Sequence, residues 1–272
     1  MVWVAKVLIT GAAGTIGRAL REGLRGAYPV LRLSDIAPLG EAGPGEELVP
    51  ADLRDLAQVE AAMAGVDAVV HLGGMSVENT WEIVHEANIV GCYNVFEAAR
   101  RQGVRRVVFA SSNHVIGFHR RSKRIDDTAM FRPDGNYGLS KLFGEGLGRL
   151  YADKHGIACV ALRIGSWQPK PKDLRMLSTW LSPRDGVHLI RRALDAPGVH
   201  FEIVYGASDN DRGWWDNPGG ARIGFAPQDN AEVFAEEMEA QMTPEDEPEV
   251  ERAFHGGPFT GMEFSGDPSK IE

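Results

Sequence analysis

A tyrosine and a lysine four positions apart indicate proton-transfer chemistry. Tyr137 and Lys141 stand at the start of a predicted helix, so their side chains share one face of it. A nearby ammonium favours the tyrosinate, and we expect Lys141 to lower the pKa of Tyr137 from about 10 toward the range of a general base. A hydroxyl at the preceding strand end would position a substrate, and by register Ser112 fits better than Ser111. Taken alone, the pair also fits an ordinary surface helix.

A glycine-rich turn lies where a dinucleotide site requires one. Residues 10–17 read Thr-Gly-Ala-Ala-Gly-Thr-Ile-Gly, directly after the first predicted strand and before a helix. Glycines let the turn close tightly and let backbone N–H groups approach a pyrophosphate at the helix N-terminus. The predicted cofactor contacts in this turn are Gly11, Gly14, Thr15, Ile16 and Gly17.

Residues at other strand ends extend the predicted cofactor site. Asp35 ends the second strand, where its carboxylate can accept both adenosine ribose hydroxyls and would repel a 2′-phosphate, so NAD is favoured over NADP. Asn88 is expected to border the cofactor from a helix interior, where asparagine is otherwise unfavourable. The remaining expected contacts at strand ends are Asp52, Leu53, Leu72, Gly73, Gly74 and Ile164.

The elements that position these residues alternate between strand and helix. The predicted strands are residues 7–10, 30–34, 47–50, 68–71, 106–110, 157–164 and 201–205. The predicted helices are residues 15–25, 56–64, 80–101, 137–155 and 184–194. This alternation predicts an α/β, Rossmann-type, doubly wound parallel sheet with helices on both faces, because βαβ crossovers are right-handed.

Composition divides the chain into a core and a smaller lobe. Residues 1–165 are expected to form a dinucleotide-binding core that carries the Ser, Tyr and Lys. Residues 166–272 are expected to form a small substrate-capping region and tail, integrated with the core, in which Trp214 and Trp215 pack within the lobe. The tail has two open interpretations, partial disorder or packing against another subunit.

Charge and cysteine content exclude several classes of function. A formal charge of −9 disfavours nucleic acid and anionic membranes, and the basic stretch 120–124 is interpreted as a solvated loop. Residues 2–9 are apolar but too short to span a membrane, and we interpret them as a buried strand rather than a signal peptide. Two cysteines in apolar segments, Cys92 and Cys159, favour a reducing compartment, the cytoplasm, and no metal cluster.

Together, the TGxxGxxG turn, the strand-end serine and the YxxxK pair resemble the extended short-chain dehydrogenase/reductase family over about 165 residues. Val115-Ile116-Gly117 departs from the Val-Tyr-Gly of many nucleotide-sugar members. Four stretches, residues 110–117, 163–166, 175–180 and 213–217, are similar to the bacterial uronate dehydrogenases. That resemblance implies NAD-dependent oxidation of free D-galacturonate and D-glucuronate at C1 to aldarolactones, without a metal.

The resemblance also assigns roles to individual residues. It implies that Tyr137 is the base, that Ser112 positions the C1 hydroxyl, and that Lys141 supports the tyrosinate and binds the nicotinamide ribose. Arg175 is chosen for the substrate carboxylate, since a guanidinium fork matches carboxylate geometry. The expected contacts to the sugar hydroxyls are Ser76, Asn113, His114 and Ser166, each just past a strand end.

Two other functions are compatible with the same motifs. A nucleotide-sugar epimerase or dehydratase shares the fold, the cofactor and the Tyr/Lys pair but retains NAD through its cycle. A non-catalytic NAD-binding sensor would bind without turnover, although it needs no Ser, Tyr and Lys together. By analogy with the wider family, a homo-oligomer is expected.

Overall fold

The computed structural model describes residues 4–272 and contains one central parallel sheet. Its seven strands are β1 (Lys6–Thr10), β2 (Val30–Ser34), β3 (Glu46–Leu48), β4 (Ala68–His71), β5 (Arg106–Ser112), β6 (Ala158–Ile164) and β9 (Phe201–Gly206). Two short strands, β7 (Ser166–Trp167) and β8 (Trp180–Leu181), pair separately. Of the apolar start, residues 2 and 3 lie outside the described residues, and the rest leads into β1 as expected.

The strand order reverses direction once, between β1 and β4. The sheet runs β3-β2-β1-β4-β5-β6-β9, and every neighbouring pair is parallel. Parallel strands bring their carboxyl ends to one edge, and ligands of such sheets bind outside that edge at the point of reversal. The predicted doubly wound Rossmann-type fold is therefore confirmed.

Helices cover both faces of the sheet. The helices that accompany the sheet are α1 (Thr15–Gly23), α2 (Leu56–Met63), α3 (Trp81–Val84), α4 (Gly91–Arg101), α5 (Asn136–His155) and α7 (Pro183–Asp195). Helices α1 and α7 pack on one face through residues such as Leu20 and Leu189, and α2, α4 and α5 pack on the other through residues such as Phe96 and Leu147. Strands buried on both sides explain the near-continuous apolar runs in the sequence.

The predicted helix 80–101 is interrupted by a different helical form. Its middle turn, His85–Val90, is π-helical and joins α3 to α4 without a loop. Such single-turn insertions widen a helix locally and often mark functional sites. Here the wide turn faces the loop after β4, which the next section describes.

The C-terminal region folds back on the core of its own chain. Its helices are α6 (Met176–Thr179), α8 (Pro218–Ile223), α9 (Ala235–Gln241), α10 (Glu249–Ala253) and α11 (Pro258–Gly261). As expected, the tryptophans pack within this region, since Trp215 stacks on Tyr205 and Trp214 stacks on His255, at ring-centroid distances of 5.1 and 4.9 Å.

The solvated-loop interpretation of the basic stretch 120–124 fits its exposed residues 122–124 but is wrong for Arg120 and Arg121. The Arg120 guanidinium donates to the carbonyls of Pro268 and Ile271. The Arg121 guanidinium donates to the Phe254 carbonyl and forms an ion pair of 2.9 Å with Glu247. These arginines bind the C-terminal tail to the rest of the chain. Each donates hydrogen bonds to backbone carbonyls at the ends of short helical segments, where backbone groups lack a full set of partners within the helix.

Candidate active site

A cavity of about 910 Å³ opens at the carboxyl edge of the sheet and contains almost every predicted site residue. Its cofactor-side wall includes Gly11, Gly14, Thr15, Ile16, Gly17, Asp35, Asp52, Leu53, Leu72, Gly73, Gly74 and Ile164. Its far end includes Ser76, Ser112, Asn113, His114, Tyr137, Lys141 and Ser166. Asn88 and Arg175 are not among the lining residues, and both lie behind the wall.

The glycine turn packs tightly against the start of helix α1. A Cβ at position 17 would lie 2.4 Å from the carbonyl oxygen of Gly11, so only glycine fits there without displacement. Helix α1 starts beyond Gly14 with no side-chain cap, so its first N–H groups point toward the cavity as anion donors. Asp35 closes this end, and its oxygens accept from the N–H groups of Ala13 and Ala37, both at 2.9 Å.

Ser112, Tyr137 and Lys141 meet at the other end of the cavity, each less than a tenth exposed. Burial raises the pKa of Tyr137 to about 12, and a hydrogen bond with Ser112 opposes this rise. Burial also lowers the pKa of Lys141 to about 8, because water no longer solvates its ammonium.

The expected lowering of the Tyr137 pKa by Lys141 is therefore wrong. The Lys141 ammonium sits over the aromatic rings, 5.5 Å from the centroid of Tyr137 and 5.3 Å from that of Phe109. From this position it interacts with the ring face, and burial of the phenol is the largest influence on the Tyr137 pKa. Burial thus disfavours the charged form of both groups, although a pKa of about 8 leaves Lys141 mostly cationic at pH 7.

Two anchors place the start and the middle of α5. The Glu78 carboxylate accepts from the N–H groups of Asn136 and Tyr137, both at 2.9 Å, and so caps the helix beside the tyrosine. Two turns further on, Glu145 forms a buried two-point ion pair with Arg163 of β6 and accepts from the Ser111 hydroxyl at 2.6 Å. The catalytic helix is thereby fixed to both strands that carry cavity residues.

Asn88 does not line the cavity but holds a loop that does. In the π-helical turn, its amide oxygen accepts from the Met75 N–H at 2.7 Å. Its amide nitrogen donates to the Met75 carbonyl at 3.0 Å and to the Ser140 hydroxyl at 2.9 Å. The amide is fully used by these contacts, so Asn88 acts on the cavity through the loop after β4, which carries Gly74 and Ser76.

Arg175 lies one side chain behind the substrate end of the cavity. Its Nε donates to the His255 carbonyl at 2.7 Å. In the orientation that satisfies both neighbours, the Asn113 amide accepts from Arg175 Nη2 at 2.7 Å and donates to the Ile164 carbonyl at 3.0 Å. Burial lowers the Arg175 pKa to about 10, which still leaves the guanidinium cationic at neutral pH. The cation therefore reaches the cavity wall through Asn113.

Three residues of this region were missed in the sequence: Glu78, Asp134 and Phe259. The Phe259 ring, from α11, stacks on His114 with a centroid separation of 3.9 Å. No motif marks these residues, because their partners lie far away along the chain. Asp134 had one available signal in the sequence: it is an acidic residue shortly before α5, a helix whose first residues offer no side-chain cap.

Two other features, a metal-binding cluster and a membrane-spanning helix, are not found in the part of the chain that the structure describes. Within residues 4–272, no group of three or more His, Cys, Asp or Glu side chains is arranged to hold a metal ion. No helix in that range has the length and apolar character that crossing a bilayer requires.

The residues present fit a dinucleotide. Free helix N–H groups, a glycine crevice and a strand-end carboxylate line one side of the cavity, and the Ser, Tyr and Lys line its end. This combination on a doubly wound sheet defines a dehydrogenase of the short-chain dehydrogenase/reductase class.

Comparison with known proteins narrows the class. The profile of the NAD dependent epimerase/dehydratase family matches residues 7–196. A uronate dehydrogenase from Pseudomonas putida is 51% identical over 256 residues, covering 93% of this chain and 95% of that protein. The chain therefore belongs to the NAD dependent epimerase/dehydratase family and, within it, to the uronate dehydrogenases, which confirms the predicted resemblance.

Solved structures agree with this assignment. A uronate dehydrogenase from Agrobacterium tumefaciens, a tyrosine-to-alanine mutant complexed with NAD, superposes with a TM-score of 0.91 at 47% identity and covers 94% of this chain and 97% of that one. A glucuronic acid dehydrogenase from Chromohalobacter salexigens superposes with a TM-score of 0.91 at 45% identity. The match covers 98% of this chain and 99% of that one.

Proposed function

We propose that this protein oxidises free hexuronic acids, D-galacturonate and D-glucuronate, at C1 with NAD. The observation that carries the proposal is the Ser112, Tyr137 and Lys141 group at the end of a dinucleotide cavity, in a chain 51% identical to a uronate dehydrogenase. When bound, NAD supplies the hydride acceptor. The cavity residues supply substrate binding, orientation and proton transfer.

The reaction follows from the positions of two hydroxyl groups. The C1 hydroxyl of the pyranose uronate would hydrogen-bond to Ser112 and Tyr137. Tyr137 would act as its phenolate, after releasing its own proton to solvent, and would take the hydroxyl proton while bound NAD supplies the acceptor for the C1 hydride. A C1=O bond forms in place of the O–H and C1–H bonds, giving aldarolactone, NADH and one proton. Lys141, cationic below about pH 8 and 5.5 Å from the centroid of the Tyr137 ring, would stabilise the tyrosinate that accepts this proton and would hold the nicotinamide ribose.

Recognition of the substrate carboxylate is assigned to Arg175. A buried guanidinium is a strong partner for a carboxylate because water does not compete for it. Its Asn113 contact puts this charge directly behind the wall, and Ser76, His114 and Ser166, which line the cavity, would contact the sugar hydroxyls. Binding of the carboxylate would replace the Asn113 contact with an ion pair.

The test of this function is NADH formation, followed by absorbance. Galacturonate and glucuronate should each produce NADH, while UDP-glucose and UDP-galactose should not. The Tyr137→Phe variant should bind NAD and produce none. An epimerase or dehydratase would give no net NADH, and a sensor would bind NAD without turnover, so either result rejects the proposal.

We also propose a homo-oligomer, because α5 exposes an apolar face. Leu139, Phe143 and Leu150 lie on one side of this helix by its 3.6-residue period and are each more than a third exposed. Tyr93 of α4 adds to the exposed apolar surface. Sedimentation analysis should show an oligomer that Phe143→Glu dissociates, and a monomeric wild type would contradict this.

A cytoplasmic location is the final part of the proposal. Both cysteines, Cys92 and Cys159, are free thiols in the core, as is usual in a reducing compartment. Cell fractionation of the source organism should recover the protein with cytoplasmic markers, and recovery from an oxidising compartment would contradict the assignment.

A further inference from the structure

A buried carboxylate that the reaction does not use lies next to the substrate end of the cavity. Asp134 precedes α5 and its side chain is fully buried. Its Oδ2 lies 2.7 Å from Nδ1 of His114, and its Oδ1 has no hydrogen-bond partner among the described residues. Burying a carboxylate is unfavourable, because the group loses its hydration and must recover it through hydrogen bonds or nearby charges.

The surrounding backbone leaves room specifically for this carboxylate. A Cβ at Gly117 or at Gly256 would lie 1.9 Å from the Asp134 Oδ2 atom. Gly117 follows the strand-end segment of His114, and Gly256 belongs to the C-terminal tail. Two separate parts of the chain therefore lack side chains at the point where the carboxylate meets the imidazole.

The imidazole of His114 is held on its other sides by aromatic rings. Phe259 stacks on it at a centroid distance of 3.9 Å and an interplanar angle of 17°. Tyr137 meets it edge-on at a centroid distance of 5.7 Å. With Nδ1 occupied by Asp134 and with His114 lining the cavity, Nε2 is the nitrogen left for a substrate.

A buried cation lies near this carboxylate. The attraction between Asp134 and the Arg175 guanidinium raises the pKa of Arg175 against the larger effect of burial. A carboxylate only accepts hydrogen bonds, so we assign the proton between the two side chains to His114 Nδ1.

We propose that Asp134 is a positioning residue: it fixes the proton of His114 on Nδ1 and thereby presents Nε2 to the cavity as an acceptor for a substrate hydroxyl. Asp134 itself touches neither substrate nor cofactor. The inference rests on the proposed function for the identity of the substrate, and on the described contacts for the tautomer.

The tautomer can be measured in the wild-type protein. Nitrogen-15 NMR of histidine-labelled protein, with His114 assigned by difference from His114→Asn, should show a protonated Nδ1 and an unprotonated Nε2 at the assay pH. The opposite tautomer, a rapidly exchanging mixture or a doubly protonated ring would overturn the proposal. This measurement needs no substrate, so it stands even if uronate oxidation fails.

A double-mutant cycle tests the functional part. Asp134→Asn keeps the shape and removes the charge, and it should lower kcat/KM for galacturonate by about 10- to 100-fold, as loss of a charge-assisted hydrogen bond does. In the His114→Asn background, the same change should have less than about a 2-fold effect. Additive effects of the two substitutions would overturn the proposal.

A matched control separates this role from general damage. Asp153 forms a 2.7 Å contact with His200 on the surface, so Asp153→Asn removes an aspartate–histidine contact of the same length far from the cavity. It should leave kcat/KM unchanged. Asp134→Asn should retain NAD affinity, and if it does not fold, the wild-type tautomer measurement still decides. Wild-type protein inactive on both uronates would reject the proposed function instead.

Discussion

The ion pair between Glu145 and Arg163 gives the sharpest stability prediction. Their side chains are only 5% and 3% exposed, and two N–H···O contacts of 2.9 Å join them. Glu145→Gln preserves shape but leaves the Arg163 cation buried with only neutral partners, the new amide oxygen and Tyr205. Breaking a buried pair in this way destabilises a protein by about 3–5 kcal/mol.

The expected loss is large enough for routine measurement. At about 2–4 °C per kcal/mol for a chain of this size, Tm should fall by about 6–20 °C. Activity should also fall below the transition, because Glu145 lies one turn after Lys141 on the same face of α5 and binds Ser111, the neighbour of Ser112. Calorimetry and urea unfolding give the first quantity, and steady-state kinetics at a low temperature gives the second.

Two comparisons make this test specific. Glu237→Gln removes a surface pair with Lys170, both about half exposed, and should change stability by at most about 1 kcal/mol. The double change Glu145→Met with Arg163→Met removes both charges and should destabilise less than Glu145→Gln alone. If Glu145→Gln stays within 1 kcal/mol of wild type, the reasoning about this buried pair is refuted.

Further predictions concern charge and loop geometry. Lys141 has a depressed pKa, so at pH 7 its burial as a cation opposes folding. At that pH the free energy of unfolding of Lys141→Met should exceed that of the wild type by about 1–3 kcal/mol. The difference should shrink as pH rises from about 8, the folded-state pKa of Lys141, toward 10.5, its ordinary value. Equal pH dependence of urea unfolding in both proteins would contradict this. Asp35→Asn should shift the ratio of kcat/KM values toward NADP by at least about 10-fold, because it removes repulsion of the 2′-phosphate; an unchanged ratio would show that Asp35 does not discriminate. Arg175→Ala should raise KM for galacturonate by about 10- to 100-fold but not KM for galactose, and equal effects on both sugars would remove Arg175 from carboxylate recognition. Asn88→Ala should raise KM for NAD and lower the free energy of unfolding by about 1–3 kcal/mol, since it leaves the polar groups of Met75 unpaired; unchanged values would contradict the loop-holding role.

The fold was predictable because its signals are local. Apolar β-branched runs alternating with helical periods define a parallel sheet, and its wiring follows from crossover handedness. That sheet brings the carboxyl ends of β1, β2, β4 and β5 to one edge. Residues at or just after the ends of those strands, such as Ser112 and Asp35, therefore line one cavity as the sequence indicates.

The errors concern properties that depend on burial and on distant partners. The pKa of Tyr137 rises because the phenol is buried, and burial cannot be read from a four-residue spacing. Arg120 and Arg121 bind the tail more than 120 positions away, so a local charge pattern predicted a solvated loop. Phe259 contacts His114 for the same reason, through the docking of a segment without a motif.

The central claim is hydride transfer from C1 of a free uronate to NAD. The most direct test supplies galacturonate deuterated at C1 and analyses the reduced cofactor by mass spectrometry and proton NMR. The account predicts NADH carrying one deuterium, with an aldarolactone as the first product. Unlabelled NADH, or open-chain acid as the earliest product, would contradict it.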